Sequence, residues 1–168
     1  MNINLGSGLD YRDGFLNIDG SSFVGADLVM DISANSIMSE FDENSIEFIL
    51  ANDIIEHFTH WEAIDILCAI FKIMKPGGSC QVRMPDTDQI INSQLSTSDK
   101  IRLLYGGQDI GGSTDHEKQW LDSRREYPRY FCHKYGWTKE SFCTEAQKIG
   151  FDIPESVKLN GCFSLKSA

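Results

Sequence analysis

The sequence predicts an α/β fold built on a mostly parallel, doubly wound β-sheet. Short apolar segments with strand character alternate along the chain with segments of helical periodicity, an order typical of parallel sheets. Three of the predicted strands also end near a carboxylate or an amide, namely Asp19, Asp31 and Asn52. Ligands of open α/β sheets bind beyond the carboxyl ends of the strands, so we expect these side chains at one rim.

The first predicted strand leads directly into a glycine turn. Ile3 and Leu5 alternate with polar neighbours, and Gly6-Ser7-Gly8 follows them. Because glycine lacks a Cβ atom, this turn can bend sharply or let a ligand approach the backbone. The second strand, 15–18, leads to Asp19, whose carboxylate can accept hydrogen bonds from both hydroxyls of a ribose. A tight turn without a ligand is the alternative interpretation.

Two further apolar segments predict the middle of the sheet. Residues 26–32 form the third strand, and residues 46–51 form a nearly continuous apolar run typical of a doubly covered central strand. Residues 33–44, which lie between them, are polar and predict a turn-rich connection. Asn52 stands where the fourth strand ends.

The clearest predicted helix begins at Thr59. Thr59 and Glu62 have the spacing of a capping box, apolar residues follow at helical spacing, and the segment 75–78 (KPGG) ends the helix. A fifth strand follows over 80–84, where apolar and polar residues alternate.

The remaining third of the chain is less regular. Residues 87–105 predict two short helices, and Thr138 caps a helix that Gly150 ends. Strand-like runs at 156–159 and 161–165 complete the chain, and we expect an antiparallel C-terminal strand.

One face of the predicted sheet lacks its usual helices. The links 8–15 and 20–25 are too short for the helices that normally follow the first two strands. Apolar strand segments at 28–30 and 48–50 should then need another cover. The segment 87–137 folded back, or the same face of a second subunit in a homodimer, would supply it.

Composition excludes several classes of protein. The 168 residues predict a single domain over 1–168, with 41% apolar and 24% charged residues and no apolar run long enough for a membrane span. A net charge of −10 argues against a nucleic-acid partner. No signal-peptide pattern follows Met1, so we expect a cytoplasmic protein. The five cysteines are scattered, and neither they nor the histidines have metal-ligand spacing, so no metal is expected.

Motifs along most of the chain resemble the class I S-adenosylmethionine-dependent methyltransferases, especially their small members. The matching segments are 4–8 (NLGSG), 14–19 (GFLNID), 26–32 (ADLVMDI), 55–58 (IEHF), 74–78 (MKPGG) and 84–86 (MPD). Ser7 replaces the usual cysteine of the family, and the short links depart from its pattern. The resemblance implies a Rossmann-like fold in a minimal version without the first helices, and S-adenosyl-L-methionine as cofactor.

The resemblance also implies which rim residues bind this cofactor. They are Gly6, Ser7, Gly8, Asp19, Asp31, Ile32 and Asn52. Asp19 would accept hydrogen bonds from the ribose hydroxyls, and Asp31 from the adenine amino group, while the Ile32 amide donates to the ring. Asn52 would lie near the sulfonium. A helix or turn cap is the alternative role for Asp31.

Transfer of the methyl group to an oxygen or nitrogen acceptor requires removal of a proton. Candidate bases are His57, Asp86, His116 and His133, of which we favour His133 and then His57. The glycine-punctuated, aromatic segment 106–137 predicts a lid or an acceptor-binding excursion. The expected acceptor is a small molecule or a glycan-type compound.

Two alternative functions use the same residues. One is a binding module or partner subunit that holds S-adenosylmethionine without catalysis. The other is a nucleotide-sugar or dinucleotide enzyme, although the short link after Gly8 leaves no helix N-terminus for a pyrophosphate.

Overall fold

The computed structural model describes residues 1–22, 24–108, 125, 128–153 and 162–167. Its centre is a mixed sheet of seven strands in the order β3-β2-β1-β4-β5-β7-β6. The strands are β1 (Asn2–Leu5), β2 (Leu16–Asp19), β3 (Leu28–Val29), β4 (Ile46–Asn52), β5 (Met74–Arg83), β6 (Phe151–Asp152) and β7 (Cys162–Ser167). Strands β1 to β5 pair in parallel, and β7 is antiparallel to β5 and β6. The predicted Rossmann-like fold with an antiparallel C-terminal strand is confirmed.

Among the described residues, helices lie in the three connections from β3 to β6. They are α1 (Ala34–Glu40), a 3-10 helix (Ile55–His57), α2 (His60–Ile73), α3 (Thr87–Asn92), α4 (Thr97–Tyr105), α5 (Pro128–Phe131) and α6 (Lys139–Ile149). The capping box of α2 forms as predicted, because Thr59 and Glu62 exchange hydrogen bonds with each other's backbone amides. Thr138 caps α6, and the two predicted short helices are α3 and α4.

Two predictions about the first half of the chain are wrong. Residues 33–44 contain α1, because Ser33 Oγ accepts a hydrogen bond from the Ser36 amide and Ile37 is buried in the core. The third strand is only Leu28–Val29, because it lies at the sheet edge and pairs on one side alone. The predicted run at 156–159 lies outside the described residues.

The apolar core lies on one face of the sheet. Alternate residues of neighbouring strands point to this face, including Ile3, Ile18, Ile49, Cys80 and Leu165. They pack against the apolar sides of α1, α2 and α6, and together these side chains form one hydrophobic core. Burial of these side chains fixes the strand register and therefore the position of the rim.

The opposite face is largely polar, and part of its cover comes from the link after Gly8, which the sequence analysis did not expect. Asn4 and Asn17 are buried there in register, and the link after Gly8 folds across them. Phe15 from this link contacts Phe48 edge to face, with ring centroids 5.9 Å apart. Val29 at the sheet edge stays 49% exposed in the single chain, contrary to expectation. A homodimer remains a prediction.

Candidate functional site

A cleft of about 680 Å³ opens at the carboxyl ends of β1, β2 and β4. It brings together every residue that the sequence assigns to cofactor binding and the two favoured candidate bases. These are Gly6, Ser7, Gly8, Asp19, Asp31, Ile32, Asn52, His57 and His133. The carboxyl ends of parallel strands share one sheet edge, which explains the convergence of residues far apart in sequence.

The glycine turn forms the floor of the cleft next to β1. Gly6 and Gly8 have φ angles of 68° and 51°, which only glycine adopts without strain. A Cβ atom on Gly6 would lie 2.8 Å from the Ile54 side chain, so this position has no room for one. The Ser7 amide donates to the Ile18 carbonyl at 2.9 Å and ties the turn to β2.

Asp19 connects this turn to the segment that follows β2. Its Oδ2 accepts a hydrogen bond from the Gly8 amide and its Oδ1 from the Ser21 amide, each at 2.9 Å. Each carboxylate oxygen has a second lone pair, so these bonds leave acceptor capacity toward the cleft. Asp19 therefore shapes the turn, and its predicted contact with a ribose remains open to test.

Asp31 and Ile32 line the next part of the rim. Ser33 occupies the cap position of α1, so helix capping does not account for Asp31. The Asp31 side chain is exposed at the cleft, whereas Ile32 is buried. A carboxylate and an apolar side chain thus lie next to each other at the rim, which suits the polar edge and the apolar face of a purine ring.

Asn52 ends β4 at the middle of the cleft. Its Oδ1 is buried and has no hydrogen-bond partner among the described residues. A buried amide oxygen without a partner costs free energy, and a bound ligand with a donor group would remove that cost. The adjacent Asp53 has a φ angle of 51° and forms an ion pair with Arg83.

His57 and His133 also line the cleft, and Glu56 is buried behind them. The rings of His57 and His133 meet edge to face with centroids 5.0 Å apart, and His133 Nε2 lies 4.0 Å from Glu56 Oε1. Burial raises the pKa of Glu56 to about 8 and lowers the pKa of His57 to about 4. Burial also lowers the pKa of His133, so both imidazoles are neutral near pH 7.

Backbone hydrogen bonds hold these residues together across the sequence. The amides of Lys134 and Tyr135 donate to the Glu56 carbonyl at 2.8 and 3.3 Å, and His57 Nδ1 lies 3.2 Å from the Cys132 carbonyl. Trp137 anchors the same segment, because it is buried and its carbonyl accepts from the Thr87 amide. The segment after α5 is thus fixed against the 3-10 helix.

Two other candidate bases have different outcomes. Asp86 Oδ1 accepts a hydrogen bond from the Asp88 amide and caps α3, and Asp86 does not line the cleft. His116 lies outside the described residues, as does most of the predicted lid.

Glu56 is the residue of this site that sequence reasoning missed. It is 3% exposed, and neither carboxylate oxygen has a hydrogen-bond partner among the other described residues. Glu56 enters the sequence analysis only as part of the family motif at 55–58. A glutamate within a mostly apolar run was the available signal, because unpaired buried carboxylates are rare in proteins.

Comparison with known proteins shows the fold of the chain. No protein-family model matches it, and no curated protein matches it. Within the described residues no helix is long and apolar enough to cross a membrane.

Solved structures of S-adenosylmethionine-dependent methyltransferases are similar to this chain. An Archaeoglobus fulgidus enzyme of this type has a TM-score of 0.60 at 11% identity, over 99% of this chain and 85% of its own. A Haloferax volcanii complex of the Trm112 methyltransferase activator with a proposed methyltransferase gives 0.57 at 15% identity, over 92% and 62%. A Haemonchus contortus phosphoethanolamine N-methyltransferase, solved with S-adenosyl-L-methionine, gives 0.50 at 17% identity, over 93% and 34%.

The chain spans less than two thirds of the Haloferax volcanii protein that it matches. At these identities the similarity establishes a methyltransferase fold.

Proposed function

We propose that this chain binds S-adenosyl-L-methionine in the cleft and transfers its methyl group to a small-molecule or glycan-type acceptor. The observation that carries the proposal is that one cleft is lined by two groups of residues, which we assign to a cofactor end and an acceptor end. The first end has the glycine turn with Asp19 and Asp31, and the other has His57 and His133. The cofactor is a cation with an adenosine group, which matches the carboxylates of the first end.

The two ends have different roles in the reaction. Asp19 and Asp31 bind the ribose and the adenine, the glycine turn approaches the methionine part, and the Asn52 amide lies at the reacting end. Displacement breaks the bond between sulfur and the methyl carbon, forms a bond from the acceptor to that carbon, and releases S-adenosylhomocysteine. An oxygen or nitrogen acceptor also loses a proton, and an imidazole of His133 or His57 facing the cleft can accept it.

The segment 106–137 covers the acceptor end in this proposal. Among its described residues, Tyr130, Phe131, His133 and Lys134 line the cleft. Aromatic walls exclude water from a bound acceptor, which favours displacement over side reactions. Deletion of residues 109–117 should therefore lower turnover or change acceptor preference. Unchanged turnover and preference would rule out the lid.

Calorimetric titration with S-adenosylmethionine and S-adenosylhomocysteine tests the binding half of the proposal. A methyl-transfer screen over phenols, amines and sugar nucleotides then tests catalysis. Binding without turnover across the screen would favour the alternative of a non-catalytic module or partner subunit, which the missing early helices also support. Binding of a sugar nucleotide or dinucleotide that S-adenosylhomocysteine fails to displace would contradict both.

A further inference from the structure

The strongest unexplained feature of the molecule is the buried carboxylate of Glu56. Glu56 is only 3% exposed, and neither of its buried carboxylate oxygens has a hydrogen-bond partner among the other described residues. A protein interior rarely tolerates such a group unless a cation or a hydrogen-bond donor compensates it. The positive charge of Arg83 lowers the pKa of Glu56, but Arg83 also forms an ion pair with Asp53.

Two imidazoles share this position with the carboxylate. One donor atom from each of Glu56, His57 and His133 lies within 4.8 Å of the others. His57 Nδ1 is occupied by the Cys132 carbonyl, which leaves Nε2 to act as a ligand. His133 directs Nε2 toward Glu56 at 4.0 Å, too long for a direct hydrogen bond.

We propose that Glu56, His57 and His133 form a binding site for one divalent transition-metal ion. Bonds from Zn²⁺ to nitrogen and oxygen ligands are about 2.0 to 2.2 Å long, so ligand atoms at tetrahedral angles on one ion lie about 3.3 to 3.6 Å apart. The ligand atoms of the observed group lie within 4.8 Å of one another, so they close onto an ion when their separations shorten by up to about 1.5 Å. Two imidazoles with one carboxylate favour Zn²⁺, Co²⁺, Mn²⁺ or Fe²⁺ over Mg²⁺ and Ca²⁺, which prefer oxygen ligands.

The ion would be accessible from the cleft. His57 and His133 line the cleft, whereas Glu56 lies behind them, so the open coordination positions face the space for the acceptor. An ion there could coordinate an acceptor oxygen, and the imidazoles would then act as ligands instead of free bases. No metal was expected from the sequence because the spacing of possible ligands was judged along the chain, whereas these donors come from two distant segments. The site rests on this cluster and does not require the proposed methyl transfer.

Titration of the chelator-treated, dialysed chain with ZnCl₂ and CoCl₂ tests the site. We expect one equivalent of either ion to bind, a visible Co²⁺ spectrum typical of nitrogen ligation, and much weaker binding of MgCl₂. Glu56→Gln and His133→Asn should each weaken Zn²⁺ binding by at least about 100-fold. Glu43→Gln, which changes an exposed glutamate, and His60→Asn, which removes a histidine outside the cleft, should stay within about threefold of the parent.

Circular dichroism and S-adenosylhomocysteine titration of each variant show whether it is folded. Absence of saturable Zn²⁺ binding to the parent chain would overturn the site. Unchanged Zn²⁺ affinity in both Glu56→Gln and His133→Asn would do the same. If those two variants do not fold, the Co²⁺ spectrum of the parent decides, because a spectrum of the aqueous ion contradicts imidazole ligation. Failure of S-adenosylhomocysteine to bind would count against the proposed function alone.

Discussion

The side-chain amide of Asn4 donates to Asn17 Oδ1 at 3.0 Å on the face of the sheet opposite α1, α2 and α6. Asn17 also accepts from the Arg12 amide and donates to the carbonyls of Arg12 and Phe15. These bonds attach the loop after Gly8 to β1 and β2. A polar cover made by the chain itself thus replaces part of the helical layer that is usual in doubly wound sheets.

Replacement of Asn17 by alanine should destabilise the protein by about 1 to 3 kcal/mol, because several buried donors and acceptors lose their partner together. Chemical denaturation at pH 7 measures the change. Asn35→Ala, at an exposed position of α1, is the matched control and should change stability by less than about 0.5 kcal/mol. Equal stability of the two variants would show that the Asn17 network contributes little.

Gly6→Ala should lose stability and cofactor binding together. Its φ of 68° costs an alanine of order 1 kcal/mol, and the added methyl group would also lie 2.8 Å from Ile54. Gly14→Ala is an informative control, since Gly14 has a φ of 81° but no atom lies within 4 Å of the place where its methyl group would be. Thermal unfolding and S-adenosylhomocysteine titration should separate the variants, with Gly14→Ala retaining affinity. Similar behaviour of both would mean that backbone strain alone matters at Gly6.

Asp19→Ala should weaken S-adenosylhomocysteine by at least about tenfold. Asp19 also holds the Gly8 and Ser21 amides, so a loss of affinity alone does not identify a ribose contact. The parent chain should therefore bind a 2′-deoxy analogue more weakly than S-adenosylhomocysteine, and Asp19→Ala should bind the two equally. Asp13→Ala, in the exposed part of the loop, serves as control. Retained discrimination in Asp19→Ala would remove Asp19 from the ribose site.

His133→Ala should reduce turnover by about 100-fold or more once an acceptor is known, because it removes a group that assists proton removal at the acceptor. The affinity for S-adenosylhomocysteine should change by less than about threefold, since we assign His133 to the acceptor end of the cleft. Single-turnover kinetics with bound cofactor make the comparison. A loss of cofactor affinity with unchanged turnover would reverse the assignment of the two ends.

The capping box of α2 predicts a pH-dependent stability. Hydrogen bonds from Thr59 lower the pKa of Glu62 below its ordinary value. A depressed pKa in the folded state stabilises the protein above the unfolded pKa, and this stabilisation is lost as the pH falls through the folded pKa. Glu62→Ala should therefore be less stable than the parent at pH 7, by under about 1 kcal/mol at this exposed position, and closer to it at pH 3. An equal difference at both values would exclude the charge of Glu62 as the cause.

Local signals in the sequence were sufficient to predict which residues gather at the rim of the cleft. The glycine turn, Asp19, Asp31 and Asn52 all follow strands, and strand ends meet at one rim once the sheet is parallel. Pattern analysis failed where long-range contacts decide. Helix α1 was missed because its single buried residue, Ile37, gives almost no periodicity. Similarly, the grouping of Glu56 with His133 depends on a backbone contact between distant segments.

The contacts that join the 3-10 helix to the segment after α5 run from backbone to backbone. The Glu56 carbonyl is held by the amides of Lys134 and Tyr135, and no side chain at either position takes part in those bonds. Substitutions at position 134, which is exposed and lines the cleft, can therefore alter its chemistry without loosening its frame. Acceptor preference can diverge in this way during evolution, while the rim proposed for the adenosine, encoded within the first 52 residues, stays unchanged.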